Sequence, residues 1–380
     1  MQTKAYLNFL VELKDQDLAR AFPILRQEEI KKPCLDFSSN DYLQLSQSRL
    51  ILKSAIIGAK KYGVGSTGSR LLSGHHKLFE TFETQIALSK KTERALLFNS
   101  GFQANISVLS ALLERKHFQN TPLVFFDKLN HKSLYEAVNL SGAKLIRYAH
   151  NDMEHLAFLL NKYQDKNTPK FIVAETVYGM DGDVLKYNEL VSLARQYHAL
   201  LYLDEAHATG ILGQAGYGLS TSMDFQEVEH VIMGTFSKAL GGAGAYVACS
   251  NIIYQYLIND CSGFIYSTAC SPMMIGAMQK AWDLVPSLQP SVIKMFELAQ
   301  YCRQRLKKIG LETGDSSTHI IPLIYREAKQ ALEMKNILQA NHIVVSFIQY
   351  PTVPKNQARL RIALNISHQK KDIDKLLTFV

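Results

Sequence analysis

The stretch GTFSKALGG, residues 234–242, places a single amine among hydroxyl groups and glycines. Lys238 follows Thr235 and Ser237 and comes just after the apolar run HVIMG. In a cleft, such a lysine can act as a nucleophile, hold a phosphate group or form a Schiff base with a carbonyl compound. On an open surface it would have no special role, so the other candidate residues must decide between these possibilities.

Three further reactive side chains stand near the ends of apolar runs. Asp204 and His207 belong to LYLDEAHATG, and His131 ends LVFFDKLNH. The Asp204 carboxylate could hold a positively charged ring nitrogen, bind a metal ion or cap a turn. A metal site would need further ligands, and the sequence offers Asp204 no convincing set of them. A lone histidine is usually structural, but His131 could instead stack on a flat ligand.

The segment around residues 100–102 could bind an anion. The segment NSGFQANISVLSALLERK, residues 99–116, predicts a strand end, a turn and a helix, with Ser100, Gly101 and Phe102 at the helix N-terminus. Unpaired backbone N–H groups and the helix dipole attract phosphate at such a point. Ser100 could equally cap the helix with no ligand present.

The glycine motif GVGSTG, residues 63–68, has the spacing of a dinucleotide-binding fingerprint. A helical pattern precedes it instead of a strand, and no acidic residue closes a second strand about 20 residues later. We therefore expect a glycine-rich turn that lines a cleft.

Two arginines alternate in ARLRIALNISH, where Arg359 and Arg361 share one face of a predicted strand. A guanidinium can grip a carboxylate with two hydrogen bonds. The pattern leaves open which arginine does so, and either could also face solvent from an edge strand.

Short apolar runs alternate with helical patterns from residue 95 onward. This alternation predicts a mostly parallel sheet covered by helices on both faces. Ligands bind such sheets at the carboxyl ends of the strands, which is where the candidate residues cluster. The runs are ALLFNSG (95–101), LVFFDKLNH (123–131), KLIRYAH (144–150), KFIVAET (170–176), LLYLDEAH (200–207), HVIMGTFS (230–237) and AYVACS (245–250).

The length of 380 residues exceeds what one hydrophobic core usually serves. We expect an N-terminal helical segment and turn over residues 1–45, a large α/β domain over 46–285 and a small α+β domain over 286–380. The stretch VPSLQP, residues 285–290, predicts a helix break between the last two.

The composition is that of a soluble globular protein, with 47% apolar and 20% charged residues. The net charge of +8 favours an acidic substrate or partner, but it is spread along the chain, so we expect no nucleic-acid partner. Five cysteines without a CxxC pair suit free thiols. We expect a cytoplasmic protein without a membrane partner, because neither a signal peptide nor a long apolar stretch is recognisable.

A phosphate cradle, a ring-stacking histidine, a carboxylate and a lone lysine, in this chain order, form the set that pyridoxal phosphate needs. Together with further motifs, they make the chain resemble the α-oxoamine synthases, a branch of the fold-type I pyridoxal phosphate enzymes, over nearly its whole length. The motifs are FSSNDYL (37–43), GVGSTGSRLLSG (63–74), ALLFNSGFQAN (95–105), NHKSL (130–134), MDGD (180–183), DEAHATG (204–210), GTFSKALGG (234–242), YSTACSP (266–272) and PTVPKNQARLRIAL (351–364).

The resemblance implies a role for each cofactor residue. Lys238 would carry pyridoxal 5'-phosphate as a Schiff base, and His131 would stack on the ring. Asp204 would pair with the pyridine nitrogen, and His207 would bond the ring hydroxyl. The remaining cofactor contacts, mostly to the phosphate, would come from Ser100, Gly101, Phe102, Thr235, Ser237 and Thr268.

The resemblance also implies which residues contact the substrate. Arg361 would hold the amino-acid carboxylate, with Asn40 and His131 nearby, and Thr352 lies in the acyl-substrate motif. Arg20 is the candidate for an N-terminal arginine that contacts substrate in the family. The family forms homodimers with sites at the subunit interface, where Thr268 would reach the cofactor phosphate bound by the other subunit.

The motifs are most similar to those of the branch that makes 8-amino-7-oxononanoate for biotin. That branch condenses L-alanine with pimeloyl-CoA or pimeloyl-acyl carrier protein and releases CO2 and the free thiol. Synthases of 2-amino-3-ketobutyrate, 5-aminolevulinate, sphingoid bases or amino-ketone signals are the alternatives within the family. An aminotransferase and a cofactor-binding regulator without activity are more remote alternatives for the function.

Two positions depart from the family pattern. Gln44 stands in SSNDYLQL where the family usually has glycine. Gly179 stands where a serine often bonds the cofactor, so that this contact would be lost or pass to water.

Overall fold

A computed structural model of the chain describes residues 2–15, residue 19 and residues 34–380. At its centre is a seven-stranded sheet in the order β2-β8-β7-β6-β5-β3-β4. Six of these strands run in the same direction, and β8 runs in the opposite direction. The predicted mostly parallel sheet is confirmed. The strands are β1 (Leu35–Asp36), β2 (Arg94–Phe98), β3 (Leu123–Asp127), β4 (Lys144–Tyr148), β5 (Lys170–Glu175), β6 (Leu200–Asp204), β7 (His230–Thr235), β8 (Ala245–Cys249), β9 (Ile320–Arg326), β10 (Ile343–Val344), β11 (Ser346–Ile348) and β12 (Ala358–Ala363).

The central strands are buried on both faces, which explains why the sequence shows continuous apolar runs there. Every residue of β3, β5 and β8 is buried. Helices supply the cover on both sides. The α-helices are α1 (Gln2–Asp15), α2 (Arg49–Tyr62), α3 (Lys77–Lys90), α4 (Gly101–Ala104), α5 (Ser110–Leu112), α6 (Lys132–Ser141), α7 (Met153–Lys162), α8 (Tyr187–Gln196), α9 (Asn251–Asp260), α10 (Ser262–Ile265), α11 (Pro272–Lys308), α12 (Ala328–Ala340) and α13 (Lys370–Leu376).

The predicted helix break at VPSLQP is wrong, because α11 continues from Pro272 to Lys308. Pro286 has no N–H to donate to the carbonyl of Trp282 one turn earlier. The hydroxyl of Tyr217 donates to that carbonyl instead, at 3.4 Å. The helix therefore crosses the proline without leaving this acceptor unpaired. We propose that the small domain begins within α11, near residue 286.

Beyond α11, the strands β11, β12 and β9 form a three-stranded antiparallel sheet. The segment after β1 lies against it, since Phe37 accepts a backbone hydrogen bond from Ala363 at 2.8 Å and Tyr42 accepts one from Ile366 at 3.0 Å. This pairing brings the FSSNDYL motif beside β12, the strand that carries both arginines.

The carboxyl ends of β2, β3, β5, β6 and β7 share one edge of the large sheet, as the strand directions require. Among the described residues, no helix is both long and apolar enough to cross a membrane. All five cysteines are free thiols, as expected.

Candidate active site

Lys238 lies just after β7, with its amine directed at a histidine. Its Nζ atom is 2.7 Å from Nε2 of His207. Burial lowers the pKa of Lys238 to about 8, although the carboxylates of Asp204 and Glu175 act in the opposite direction. An appreciable fraction of this amine is therefore uncharged near neutral pH.

Asp204 ends β6 and is held in one orientation from two sides. Its Oδ1 atom accepts a hydrogen bond from the backbone of Ala206, and its Oδ2 atom accepts one from Nδ2 of Asn105, both at 2.8 Å. Asn105 in turn accepts a hydrogen bond of 3.0 Å from the Tyr202 hydroxyl. Because the carboxylate is buried and fixed, it suits a single cationic partner such as a protonated ring nitrogen.

Sequence reasoning did not assign a role to Asn105, although the residue ends the quoted motif ALLFNSGFQAN. It begins a π-helical turn, Asn105–Leu109, between α4 and α5. Such turns are rare and frequent at functional sites. No sequence pattern marks a π-helical turn, so its amide could be assigned to Asp204 only from the structure.

His131 caps the N-terminus of α6. Its Nδ1 atom lies 2.8 Å from Oγ of Ser133, and its backbone N–H donates to Oε1 of Glu175 at 2.5 Å. Burial and the neighbouring Asp204 raise the pKa of Glu175 well above its usual value. Glu175 was missed from sequence, where the only signal is that it closes the run KFIVAET.

The predicted phosphate cradle has the right donors. The Ser100 hydroxyl caps the helix that begins at Gly101, and the backbone N–H groups of Gly101 and Phe102 donate to no acceptor in the described part of the chain. A Cβ on Gly101 would lie 3.7 Å from Oγ1 of Thr235, so this hydroxyl faces the helix terminus. The Thr235 and Ser237 hydroxyls are 2.9 Å apart. Two free N–H groups beside hydroxyls are the donors that a phosphate dianion would need.

Gly179 leaves space that the ring of His207 occupies. A Cβ at position 179 would lie 2.3 Å from Nε2 of His207, so any side chain here would require the ring to shift. The departure from the family's serine is therefore matched to the position of the histidine ring. Burial and the charges of Lys238 and Arg361 keep the pKa of His207 well below its usual value, so the ring is neutral.

The two arginines of β12 are engaged differently. Nη1 of Arg359 pairs with Oδ1 of Asp181 at 2.5 Å. Arg361 donates from Nε to the carbonyl of Gly179 at 2.6 Å, while its Nη1 and Nη2 atoms each reach Oδ1 of Asn40 at 3.2 Å. Arg361 therefore has two terminal nitrogens on long hydrogen bonds and no carboxylate partner among the described residues, whereas Arg359 is already paired.

Tyr42 links Arg361 with Lys238. Its hydroxyl accepts from Nη2 of Arg361 at 3.1 Å and lies 2.8 Å from Nδ1 of His207, whose other nitrogen contacts Lys238. Burial raises the pKa of Tyr42 in spite of the nearby guanidinium, so the hydroxyl keeps its proton. Tyr42 was also missed from sequence, although it lies in the motif FSSNDYL.

The remaining candidates lie away from this cluster. Thr268 is exposed, and its carbonyl accepts from Asn99, the neighbour of Ser100, at 2.8 Å. Thr352 is exposed, and its N–H donates to the carbonyl of Gln349 at 3.0 Å. Arg20 lies outside the described residues.

GVGSTG follows helix α2, and Gly63 caps the end of that helix. A strand would have to precede a dinucleotide fingerprint, so the motif lacks the context of such a site, as expected.

Comparison with known proteins assigns a family to this architecture. Residues 32–380 match the model of the class I and II aminotransferases. An 8-amino-7-oxononanoate synthase of Gluconacetobacter diazotrophicus is 44% identical over 346 residues, which are 90% of this chain and 86% of that protein. The crystal structure of the 8-amino-7-oxononanoate synthase of Francisella tularensis covers 91% of this chain and 96% of its own, at 29% identity and a TM-score of 0.78.

The same fold is also found in a more distant protein. A serine palmitoyltransferase variant of S. paucimobilis, solved with a pyridoxal phosphate–myriocin aldimine, covers 100% of this chain and 96% of its own with a TM-score of 0.89. Its identity is 22%, so this likeness concerns the fold alone.

Proposed function

Because the chain belongs to the class I and II aminotransferases and, within them, to the 8-amino-7-oxononanoate synthases, we propose that it condenses L-alanine with a pimeloyl thioester. The products are 8-amino-7-oxononanoate, CO2 and the free thiol of CoA or of an acyl carrier protein. The observation that carries the proposal is the convergence of Lys238, Asp204 and Arg361 on one cluster at the sheet edge. An amine, a fixed carboxylate and a free guanidinium fork are the groups this reaction needs.

The residues fit pyridoxal phosphate. The unpartnered N–H groups of Gly101 and Phe102, with the Thr235 hydroxyl, would hold its phosphate, Asp204 its ring nitrogen and Lys238 its carbonyl carbon. When bound, the cofactor supplies an acceptor for the electrons of the broken Cα–H bond. His131 would stack on its ring.

Arg361 binds and orients the amino acid. Its Nη1 and Nη2 atoms exchange the long bonds to Asn40, 3.2 Å each, for two charge-assisted bonds to the substrate carboxylate. Holding the carboxylate at two points fixes the direction of the Cα–H bond, which must face the base.

Lys238 transfers the proton of the substrate Cα atom. Its Nζ atom takes the Cα proton of L-alanine and later returns one to the product carbon. A pKa of about 8 lets the amine be free before the transfer and charged after it, close to neutral pH. The resulting ammonium donates to Nε2 of His207, which is 2.7 Å away.

The second half of the reaction makes and breaks bonds of the substrates. The alanine Cα bonds to the thioester carbonyl carbon as the C–S bond breaks, and the original carboxylate leaves as CO2. We propose that the acyl chain is bound near Thr352. The net charge of +8 suits either donor, since CoA carries phosphates and acyl carrier proteins are acidic.

We propose a homodimer in which Thr268 of one subunit contacts the cofactor phosphate of the other. The exposure of the Thr268 side chain is compatible with this contact. Light scattering of the purified holoenzyme would give twice the chain mass of 42.8 kDa, and a mass near 42.8 kDa would contradict the dimer.

The deciding experiment supplies the holoenzyme with pimeloyl-CoA and either L-alanine or glycine, and follows thiol release together with the product mass. We expect 8-amino-7-oxononanoate and CoA from L-alanine, and no product from the Lys238→Ala variant. Condensation of glycine with acetyl-CoA, or of serine with a long-chain acyl-CoA, would place the chain in another branch of the family. Pyruvate formation without thiol release would identify an aminotransferase.

A further inference from the structure

The Asn105 side chain is buried and joins the two groups that would flank the ring of a bound cofactor. Its Nδ2 atom donates to Oδ2 of Asp204 at 2.8 Å and to Oγ of Ser133 at 2.9 Å. The Ser133 hydroxyl in turn lies 2.8 Å from Nδ1 of His131. The carboxylate for the pyridine nitrogen and the histidine for the ring face are therefore connected through a single amide group.

The neighbours of Asn105 fix the orientation of its amide. An ionised carboxylate has no proton to donate, so the end of the amide that faces Asp204 must be the NH2 group. The Oδ1 end meets the hydroxyl of Tyr202 at 3.0 Å. Burial raises the pKa of Tyr202 well above its usual value, so this hydroxyl keeps its proton and donates it to Oδ1.

The helical segment that carries Asn105 also carries the proposed phosphate donors. Gly101 and Phe102 begin this segment, and the backbone N–H of Asn105 donates to their carbonyl groups one turn later. The same residue begins the π-helical turn Asn105–Leu109. The spacing between the phosphate donors and the amide that supports Asp204 is therefore set within one helical segment.

We propose that Asn105 is a positioning residue that keeps the proton shared by Asp204 and the cofactor ring nitrogen on that nitrogen. This inference rests on the proposed function and deepens it. Each oxygen of Asp204 accepts one hydrogen bond in the structure and keeps a second lone pair. The bond from Asn105 therefore does not compete with a bond to the ring.

A carboxylate and a pyridine nitrogen can share one proton in two ways. The proton on the nitrogen gives a pair of opposite charges, and the proton on the carboxylate gives two neutral groups. A hydrogen bond donated to the carboxylate stabilises its charged form, and one such bond changes this balance about 10-fold or more. Asn105 therefore favours the protonated ring, which is the stronger acceptor for the electrons of the Cα–H bond.

The other ionisable groups near Asp204 do not replace this hydrogen bond. Burial and the charge of Asp204 raise the pKa of Glu175 well above its usual value, so Glu175 is a neutral acid. Burial lowers the pKa of His131, so its ring is neutral although Asp204 acts in the opposite direction. The amine of Lys238 attracts the Asp204 carboxylate, but this attraction does not depend on Asn105.

The first measurement observes the ring nitrogen directly. The holoenzyme is prepared with pyridoxal phosphate that carries an NMR-active nitrogen isotope in the ring, and the nitrogen chemical shift reports its protonation. For the wild type we expect the shift of a protonated pyridine. For Asn105→Ala we expect the shift to move towards that of a neutral pyridine, because the balance between the two forms changes about 10-fold or more.

Ser133→Ala and Asn365→Ala are the matched controls. Ser133→Ala breaks the connection to His131 but leaves the amide bond to Asp204 in place. Asn365→Ala removes another buried amide, whose Oδ1 atom accepts from the backbone and the hydroxyl of Ser367 at 2.9 and 2.7 Å. Both variants should keep the nitrogen shift of the wild type.

The second measurement uses the holoenzyme with L-alanine in deuterated water and no thioester. Proton NMR gives the rate of Cα hydrogen exchange, and the absorbance change of the bound cofactor gives the Kd for L-alanine. For Asn105→Ala we expect the exchange rate to fall about 10-fold or more, while the Kd changes less than about 3-fold. A residue that only supports the fold would not separate these two quantities.

An unchanged nitrogen shift in Asn105→Ala would overturn the inference, and so would an equal change of the shift in Ser133→Ala. Asn105→Leu keeps the approximate volume of the side chain without its amide, and it takes the place of Asn105→Ala if the alanine variant does not fold. A wild-type holoenzyme that exchanges no alanine hydrogen would instead reject the proposed function. The nitrogen shift needs no turnover and would still decide the role of Asn105.

Discussion

Arg359 and Arg361 project from the same face of β12, but within the described part of the chain only Arg359 is paired with a carboxylate. Asp181 pairs with Nη1 of Arg359 at 2.5 Å, and both side chains of this pair are largely enclosed. Among the described residues, the fork of Arg361 meets only uncharged oxygens: Oδ1 of Asn40 at 3.2 Å from each nitrogen, and the Tyr42 hydroxyl at 3.1 Å from Nη2. Arg359 therefore stabilises the loop before Asp183, and Arg361 is available for substrate.

Matched lysine substitutions separate these two roles. Arg361→Lys replaces the fork by a point charge, so we expect the Kd for L-alanine to rise about 30-fold or more. Arg359→Lys should change that Kd less than about 3-fold and lower the free energy of unfolding by about 1 kcal/mol. Titration of the cofactor absorbance and urea unfolding measure both effects. Equal Kd changes in both variants would contradict the assignment.

The amine of Lys238 should show its lowered pKa in cofactor capture. With a pKa of about 8, the free-amine fraction rises about 5-fold from pH 7 to pH 8 and less than about 2-fold from pH 8 to pH 9. Stopped-flow absorbance after pyridoxal phosphate is added to the cofactor-free protein follows this fraction. An ordinary lysine would rise about 10-fold over each of these intervals. Lys238→Ala, which lacks the amine, should give no capture signal.

Gln44 occupies a turn whose backbone conformation favours glycine, the residue that is usual at this position in the family. Its φ is 52°, in the left-handed region, and its side-chain amide donates to the carbonyl of Asp41 at 2.9 Å. Gln44→Gly removes the steric cost of this conformation, so we expect the free energy of unfolding to rise by up to about 1 kcal/mol. Gln44→Ala keeps the strained backbone and loses the amide contact, and it should be less stable than the wild type in the same urea titration.

His150 lies between two buried carboxylates, with Asp127 and Asp183 each 3.0 Å away. Burial alone would lower the pKa of His150, but the hydrogen bonds with both carboxylates outweigh it and raise the pKa to about 10. The charged ring therefore stabilises the fold fully below pH 6.5, and this contribution is lost as the pH rises towards 10.

Urea unfolding of the holoenzyme from pH 6 to pH 10 tests this contribution. The stability difference between wild type and His150→Gln should shrink by about 2–4 kcal/mol over this range. His198→Gln changes an exposed histidine and should leave the wild-type pH dependence unaltered. A constant difference between wild type and His150→Gln would show that the ring is not charged.

The parts of the site that could be predicted from sequence are those that follow single strands. Lys238, Asp204 and His131 each stand at or just beyond the end of an apolar run, and parallel strands bring their carboxyl ends to one edge of a sheet. The cradle at Gly101 depends only on a helix that begins after a strand. Local pattern and chain direction were therefore enough for these positions.

Other parts depended on contacts between distant segments. Arg359 and Arg361 have the same local pattern, and only the approach of Asp181 to one and of Asn40 to the other distinguishes them. Glu175 matters because β5 lies beside β6, which places it next to Asp204. Such pairings depend on packing across the chain, for which no short stretch of sequence contains a signal.

The contacts of Tyr42 and of helix α11 also could not be predicted from local sequence. The prolines of α11 predict a break from sequence, yet the helix continues, and a distant hydroxyl satisfies the carbonyl left free at Trp282. The sequence by itself determined which strands end in reactive side chains. Only the tertiary structure decided that Tyr42 joins Arg361 to Lys238, because that link spans segments more than 300 residues apart in the chain.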